Sequence, residues 1–219
     1  VETLPERRHR SVDRKAEEAA WSERDEELVQ QMSRRTDRPF PRPFLLDDET
    51  EPVPDVYWTG HHNEASFGAV PYLLKAKFKG ETIWILVDTP KFSKAAVDDV
   101  LSVTGDAGPD YLVLTHVDDT ADHGKWAERF PNLQQVFHSG DLGQHNWLGD
   151  QSLEDVDILL QSSQTKRDGL TAYALDGTLL NMNDGDDSWE TELEKKLDSD
   201  IVILHTPGHS PGSISMYHT

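Results

Sequence analysis

Two apolar runs in this chain end alike. Tyr111-Leu-Val-Leu114 leads directly into THVDDTADH (115–123), and Ile201-Val-Ile-Leu204 leads into HTPGHSPGS (205–213). Short apolar runs bounded by turn-forming residues read as buried strands. A buried strand that stops on histidine and aspartate brings groups that bind metals or carry protons to the rim of the core. In open α/β architectures, ligands collect beyond the carboxyl ends of strands. The two ends are therefore expected to meet, although about ninety residues separate them.

The segments around these runs set the fold class. PYLLKAKF (71–78) and TIWILVD (82–88), joined by Lys79-Gly-Glu81, predict a β-hairpin. Residues 93–104 suit a helix with Ala96, Val97, Val100 and Leu101 on its apolar face. YLVLTH (111–116) reads as a strand, ADHGKWAERF (121–130) as a helix and LQQVFHS (133–139) as the next strand. Further strands are expected at 156–160, 171–175 and 201–206. A hairpin, then strand–helix–strand, then more strands predicts an α/β sandwich with mixed sheets. Residues 11–35 read as a charged amphipathic helix with Trp21, Leu28 and Met32 on one stripe, ended by Pro39, Pro41 and Pro43. We accordingly divide the chain into a charged N-terminal helix with a Pro-rich linker (1–50) and the sandwich (51–219). The stretch 183–200, with eight acids and two lysines, reads as an exposed insertion.

The clusters carry more chemistry than turns require. One of Asp119 and Thr120 is expected to cap the helix that starts near Ala121, but that leaves His116, Asp122 and His123 unexplained. The chain has no cysteine, so any metal must be held by nitrogen and oxygen. In the second cluster, Pro207 and the glycines account for a rigid bend that aims His209, while His205, still on its strand, packs. His138, in VFHSGDLG, is either an ordinary strand-end residue or a substrate contact at a cleft rim; His61 and His62 read as loop residues. GDLG (140–143) reads as a turn, not a phosphate loop. Residues 1–40 hold nine Lys/Arg against ten Asp/Glu, which leaves −19 of the net −20 on residues 41–219. That field repels phosphate backbones and argues against nucleic acid as a partner. The absence of a long apolar stretch predicts a soluble protein without a membrane partner, and the acidic N-terminus argues against a transit peptide, leaving cytoplasm or an organelle lumen open.

On these residues the chain resembles the metallo-β-lactamase-fold hydrolases, the superfamily that includes glyoxalase II, lactonases and persulfide dioxygenases. The strand-end His…Asp-His of THVDDTADH and the PGHSPGS turn carry the resemblance, supported by SFGAVPYLL and ILVDTP, over about residues 52–219. It implies an αββα sandwich with mixed sheets. It also implies one or two divalent ions, zinc first and iron or manganese as alternatives, held by His116, Asp118, Asp122, His123 and His209. Asp88 would brace the metal loop from behind, and Asp122 would hold an ion and orient the nucleophile. The family motif His-x-His-x-Asp-His is altered here: Asp118 stands where the middle histidine belongs, and the loop before Asp122-His123 is two residues longer. The variant pattern resembles a glyoxalase II-like branch. The implied activity is attack of metal-activated water on an ester, thioester, lactone or amide carbonyl of a small molecule. Two alternatives follow from the altered motif: a non-catalytic or regulatory protein with a degenerate site, and an iron-dependent oxygenase on the same fold. The family supplies a bridging aspartate and a last histidine from beyond the PGHS turn, so a C-terminal truncation at Thr219 is expected, in keeping with the missing initiator Met.

Overall fold

A computed structural model of the chain describes residues 42–45, 52–67, 69–161, 171–180 and 197–218. The expected helix at 11–35 and most of the acidic insertion lie outside the described residues, all of which fall in one compact unit, Phe40–Thr219.

Among the described residues, seven strands form the larger sheet in the order β1 to β7: Arg42–Leu45, Pro52–Trp58, Tyr72–Phe78, Glu81–Val87, Tyr111–Val113, Gln134–His138 and Ile158–Leu160. The first four strands pair antiparallel, and β4 to β7 pair parallel. The change of direction follows from the connections. A two-residue turn at Lys79 and Gly80 returns the chain antiparallel, whereas helix α1 (Lys94–Thr104) and helix α2 (His123–Arg129) carry it back over the sheet for parallel pairing. Ser93 caps α1, its hydroxyl accepting from the Ala96 N–H at 3.1 Å.

Successive residues of β3 to β6 point to opposite faces, and both faces are buried. Leu73, Leu86, Leu112 and Phe137 pack under Ala96, Val97 and Val100 of α1 and Trp126 of α2. Leu74, Ile85, Val87, Val113, Val136 and Leu160 face the other way. There they meet the smaller sheet, ordered β11-β10-β8-β9, built from β8 (Thr171–Tyr173), β9 (Leu179–Leu180), β10 (Ile201–His205) and β11 (Ile214–His218). Ala172, Ile201, Ile203 and Ile214 close that inner core. Each fully buried Leu or Ile contributes about 1.5–3 kcal/mol, so this double-faced pattern is the main reason the sheet holds.

Among the described residues the architecture is the α/β sandwich that the sequence predicts, with a mixed larger sheet and an antiparallel smaller one. The described α-helices form one layer, on the larger sheet. The acidic stretch departs from expectation at its end. Lys79 N–H donates to Leu197 O, Lys77 N–H donates to the Asp200 carboxylate, and Ser199 is buried. Residues 197–200 are thus tied to the β3–β4 hairpin and are no free loop.

Candidate metal centre

Because β4, β5 and β6 are parallel neighbours, their carboxyl ends lie side by side, with Asp88 just after β4, Thr115 and His116 just after β5, and His138 closing β6. Asp88 follows β4 in the left-handed region (φ 57°). Its carboxylate accepts from Thr115 N–H at 2.8 Å and from the Thr115 hydroxyl at 3.0 Å. The Thr115 oxygen lies 3.0 Å from His116 Nδ1. With the hydroxyl proton given to Asp88, that oxygen accepts Nδ1–H, which leaves His116 Nε2 with its lone pair free. Burial pushes the Asp88 carboxyl up to about 7, against both hydrogen bonds from Thr115.

A tight 3-10 turn, Val117–Asp119, follows His116, anchored by the fully buried Val117. It wraps two carboxylates around the imidazole. Asp118 Oδ2 is 3.7 Å from His116 Nε2, and Asp119 Oδ2 is 3.4 Å from His116 Nδ1. From the other sheet, His209 Nε2 reaches 3.0 Å from Asp118 Oδ2, and the His116 and His209 rings meet edge-on with centroids 5.0 Å apart. One ligand atom from each of His116, Asp118 and His209 lies within 4.8 Å of the others. The second oxygen of Asp118 accepts from Trp147 Nε1 at 2.8 Å. Two imidazoles and a carboxylate make a donor set suited to a borderline or hard divalent cation. Electrostatics agree. Burial, then the charges of Asp88 and Asp118, pushes the Asp119 carboxyl up to about 8, so a proton or a cation beside it is favoured near neutral pH. Burial also lowers His116, outweighing the upward pull of Asp118, which favours the neutral imidazole a metal needs.

His209 arrives on a hairpin loop between β10 and β11, closed by Thr206 N–H to Ser213 O and by the pairing of His205 with Ile214. Asp141, fully buried at the end of a 3-10 turn after β6, joins this loop to the first one. Its Oδ1 accepts from Gly212 N–H at 2.6 Å, and its Oδ2 accepts from the Ser210 hydroxyl at 2.7 Å and Val117 N–H at 3.1 Å. Ile214 N–H adds a bond to Thr115 O at 2.9 Å. The approach is close enough to demand glycine: a Cβ on Gly212 would sit 2.7 Å from Asp141 Cγ, and one on Gly140 would sit 2.8 Å from Pro211 O.

The structure brings together three of the five expected ligands and directs the other two elsewhere. Asp122 sits at the N-cap of α2 with φ 66°. Its oxygens accept from Lys125 Nζ at 2.5 Å, Asn63 Nδ2 at 3.0 Å and Phe92 N–H at 3.0 Å. Burial would raise this carboxyl, but the Lys125, Phe92 and Asn63 donors outweigh it and hold the group low. His123 begins α2 and is almost fully buried. Its Nδ1 meets Gln135 Oε1 at 2.6 Å, and its Nε2 meets the Ser152 hydroxyl at 3.0 Å and Asp150 Oδ2 at 3.2 Å. As a first-turn residue under the helix, it faces β6 and the 150–152 loop, and both nitrogens have protein partners.

Other expectations are corrected by burial and bonding. The expected cap by Asp119 or Thr120 does not form: α2 starts two residues later, without a side-chain cap bond, and the Thr120 hydroxyl donates to Val117 O. His138 is no rim residue but fully buried, stacked on His205 at 4.0 Å, with Nδ1 accepting from Gly140 N–H at 3.0 Å. His61 does act in a loop, tying it to α1 through Asp99 at 2.6 Å. Sequence reasoning missed Thr115, Asp141 and Trp147, and read Asp119 only as a helix cap. Only Asp141 had a usable signal: it is an aspartate just beyond the third parallel strand, in a segment read as a plain turn.

No family model matches the sequence, and no curated protein matches it. Among solved structures, the chain is similar to the crystal structure of BJP-1, a subclass B3 metallo-β-lactamase of Bradyrhizobium japonicum. The identity is 20% and the TM-score 0.40, over 81% of this chain and 56% of that one. The chain thus spans a little over half the length of that structure. No helix among the described residues is long and apolar enough to cross a membrane.

Proposed function

We propose that the compact unit at 40–219, which takes in β1 ahead of the boundary expected at 51, belongs to a metal-dependent hydrolase, with one divalent ion held by His116, Asp118 and His209. The observation that carries this reading is the meeting of three donor side chains from two sheets, with their ligand atoms within 4.8 Å of one another. When bound, such an ion supplies Lewis acidity that activates water and polarises a carbonyl oxygen. The chain's own residues do the rest. Asp88 and Thr115 fix the His116 ring with Nε2 presented. Trp147 holds one oxygen of Asp118 and so orients the other toward His209. Its half-exposed indole flanks the approach to the site. The acidic surface favours a neutral or cationic small molecule, an ester, thioester, lactone or amide, over a polyanion. Asp122 and His123, whose donor atoms have other partners, are left out of this ligand set, and one ion is assigned where the resemblance allows two.

A second reading is favoured by the donor set itself. Two histidines and one carboxylate with open positions is the pattern of non-haem iron oxygenases. Metal analysis of the purified chain, calorimetry with Zn2+, Mn2+ and anaerobic Fe2+, and assays for ester, thioester and lactone hydrolysis and for oxygen uptake test both. Zinc or manganese with hydrolysis supports the first reading, and iron with oxygen consumption supports the second. Failure of all three ions to bind overturns both.

A further inference from the structure

His116 with Asp118 and His209 stand on loops from different sheets, and nothing in their local sequence forces those loops together. One buried side chain touches both. We infer that Asp141 is the positioning residue that sets the register of the two metal-ligand loops, so that the three donors are assembled by the protein before any cation arrives. The inference rests on the proposed ligand set but has a part that is independent of metal.

The hydrogen bonds make Asp141 irreplaceable by its nearest isostere. Oδ2 takes the Val117 N–H, one residue from both His116 and Asp118, together with the Ser210 hydroxyl, one residue from His209. Oδ1 takes the Gly212 N–H on the far side of the same loop. All three partners are donors, and they are shared between both oxygens. An asparagine has one acceptor oxygen, so its NH2 must face at least one backbone N–H in either flip. A buried carboxylate, fully shielded from solvent, is costly unless fully bonded. These three bonds compensate it, and moving either loop would leave it short. Gly140 and Gly212, where a Cβ would meet Pro211 O and Asp141 respectively, keep the two turns close enough for the bonds to form. Ser213 supports the same arrangement by accepting from Ser210 N–H at 3.1 Å.

The test uses the whole chain, with and without cobalt(II) as a spectroscopic probe. Amide hydrogen exchange is followed at Val117 and Gly212, with Leu112 in β5 as the internal reference. In Asp141→Asn, exchange at Val117, Gly212 or both should accelerate about tenfold or more relative to Leu112. Cobalt should bind about 10–100-fold more weakly, with an altered visible absorption band, as removal of a group that orients metal ligands typically does. If Asp141→Asn does not fold, Ser210→Ala removes one of the three bonds; it should speed exchange at Gly212 and weaken cobalt several-fold. Wild-type exchange at both amides, or an unchanged cobalt spectrum and affinity despite loosened amides, overturns the inference. If the wild type itself binds no cobalt, the ligand reading falls, while the exchange measurement still decides whether Asp141 holds the two loops.

Discussion

His209 Nε2 lies 3.0 Å from Asp118 Oδ2, across 91 residues of chain. The His209 side chain is 66% exposed, so the contact owes little to packing. With its histidine exposed, such a pair contributes no more than about 1 kcal/mol to stability. On the proposed reading, the two atoms stand together because they share one cation.

His209→Ala should therefore abolish tight binding of Zn2+ while shifting the melting temperature of the metal-free chain by little, since exposed substitutions stay within about 0.5 kcal/mol. His123→Ala should do the reverse. It removes the partner of Gln135, Ser152 and Asp150 from a buried position, at a cost of about 1–3 kcal/mol. Zinc affinity by calorimetry, set beside thermal melts of both variants, checks the pair. Loss of zinc in His123→Ala without destabilisation would return that histidine to the ligand set.

His138 should make the fold acid-sensitive. Burial, then the neighbouring His205 ring, lowers its pKa from 6.5 to about 4. Protonation would also cost the bond from Gly140 N–H. Below pH 6.5 the unfolded chain takes up a proton that the folded chain refuses. Stability present above 6.5 is thus lost as pH falls toward 4, with a slope of up to about 1.4 kcal/mol per pH unit from this group. Urea midpoints at pH 7 and pH 4.5 measure it. In His138→Gln the gap between the two midpoints should narrow, and an unchanged gap would assign the acid sensitivity to other groups.

Trp147→Phe keeps an aromatic ring but deletes the donor to Asp118. With the indole 51% exposed, the melt should not move. Metal affinity should fall several-fold, because Asp118 loses the bond that orients it. Tryptophan emission should respond to zinc in the wild type, and that response should be absent from Trp147→Phe. An identical response in both would show that Trp147 does not sense the site.

Gly212→Ala and Gly208→Ala offer a matched pair on one loop. A Cβ at 212 meets Asp141 at 2.7 Å, whereas one at 208 meets nothing within 4 Å. The first should destabilise by about 1–3 kcal/mol through overpacking, and the second should be close to neutral. Equal melting temperatures for the two variants would mean the loops can part without cost.

Much of the scaffold was legible because period-two alternation and helix punctuation are local. The 71–88 hairpin, the helix after Ser93 and the strands ending at Val113 and His138 all stand close to where pattern alone puts them. So does the approach of His116 to His209, since both follow apolar strands. What escaped depends on angle. Whether Asp122 and His123 face the open edge or the sheet is decided by one left-handed residue and by where α2 begins, and neither leaves a trace in hydropathy. Asp141 escaped because two of its three partners are backbone amides, which no side-chain motif records. The β11 strand escaped because ISMYH alternates too weakly to stand out from a loop.

Two donors of the centre ride on the larger sheet and the third on the smaller one, with the common apolar core between their supports. The site therefore works as a gauge of sandwich thickness. Close-packed interiors have low compressibility, and an expanded acid state adds roughly 10–20% to the radius while keeping much of its secondary structure. Such swelling parts His209 from Asp118 while the strands that carry them are still paired. On the proposed ligand set, a cation held there would act as a rivet through both sheets, and it should be released ahead of the backbone hydrogen bonds as the protein loosens.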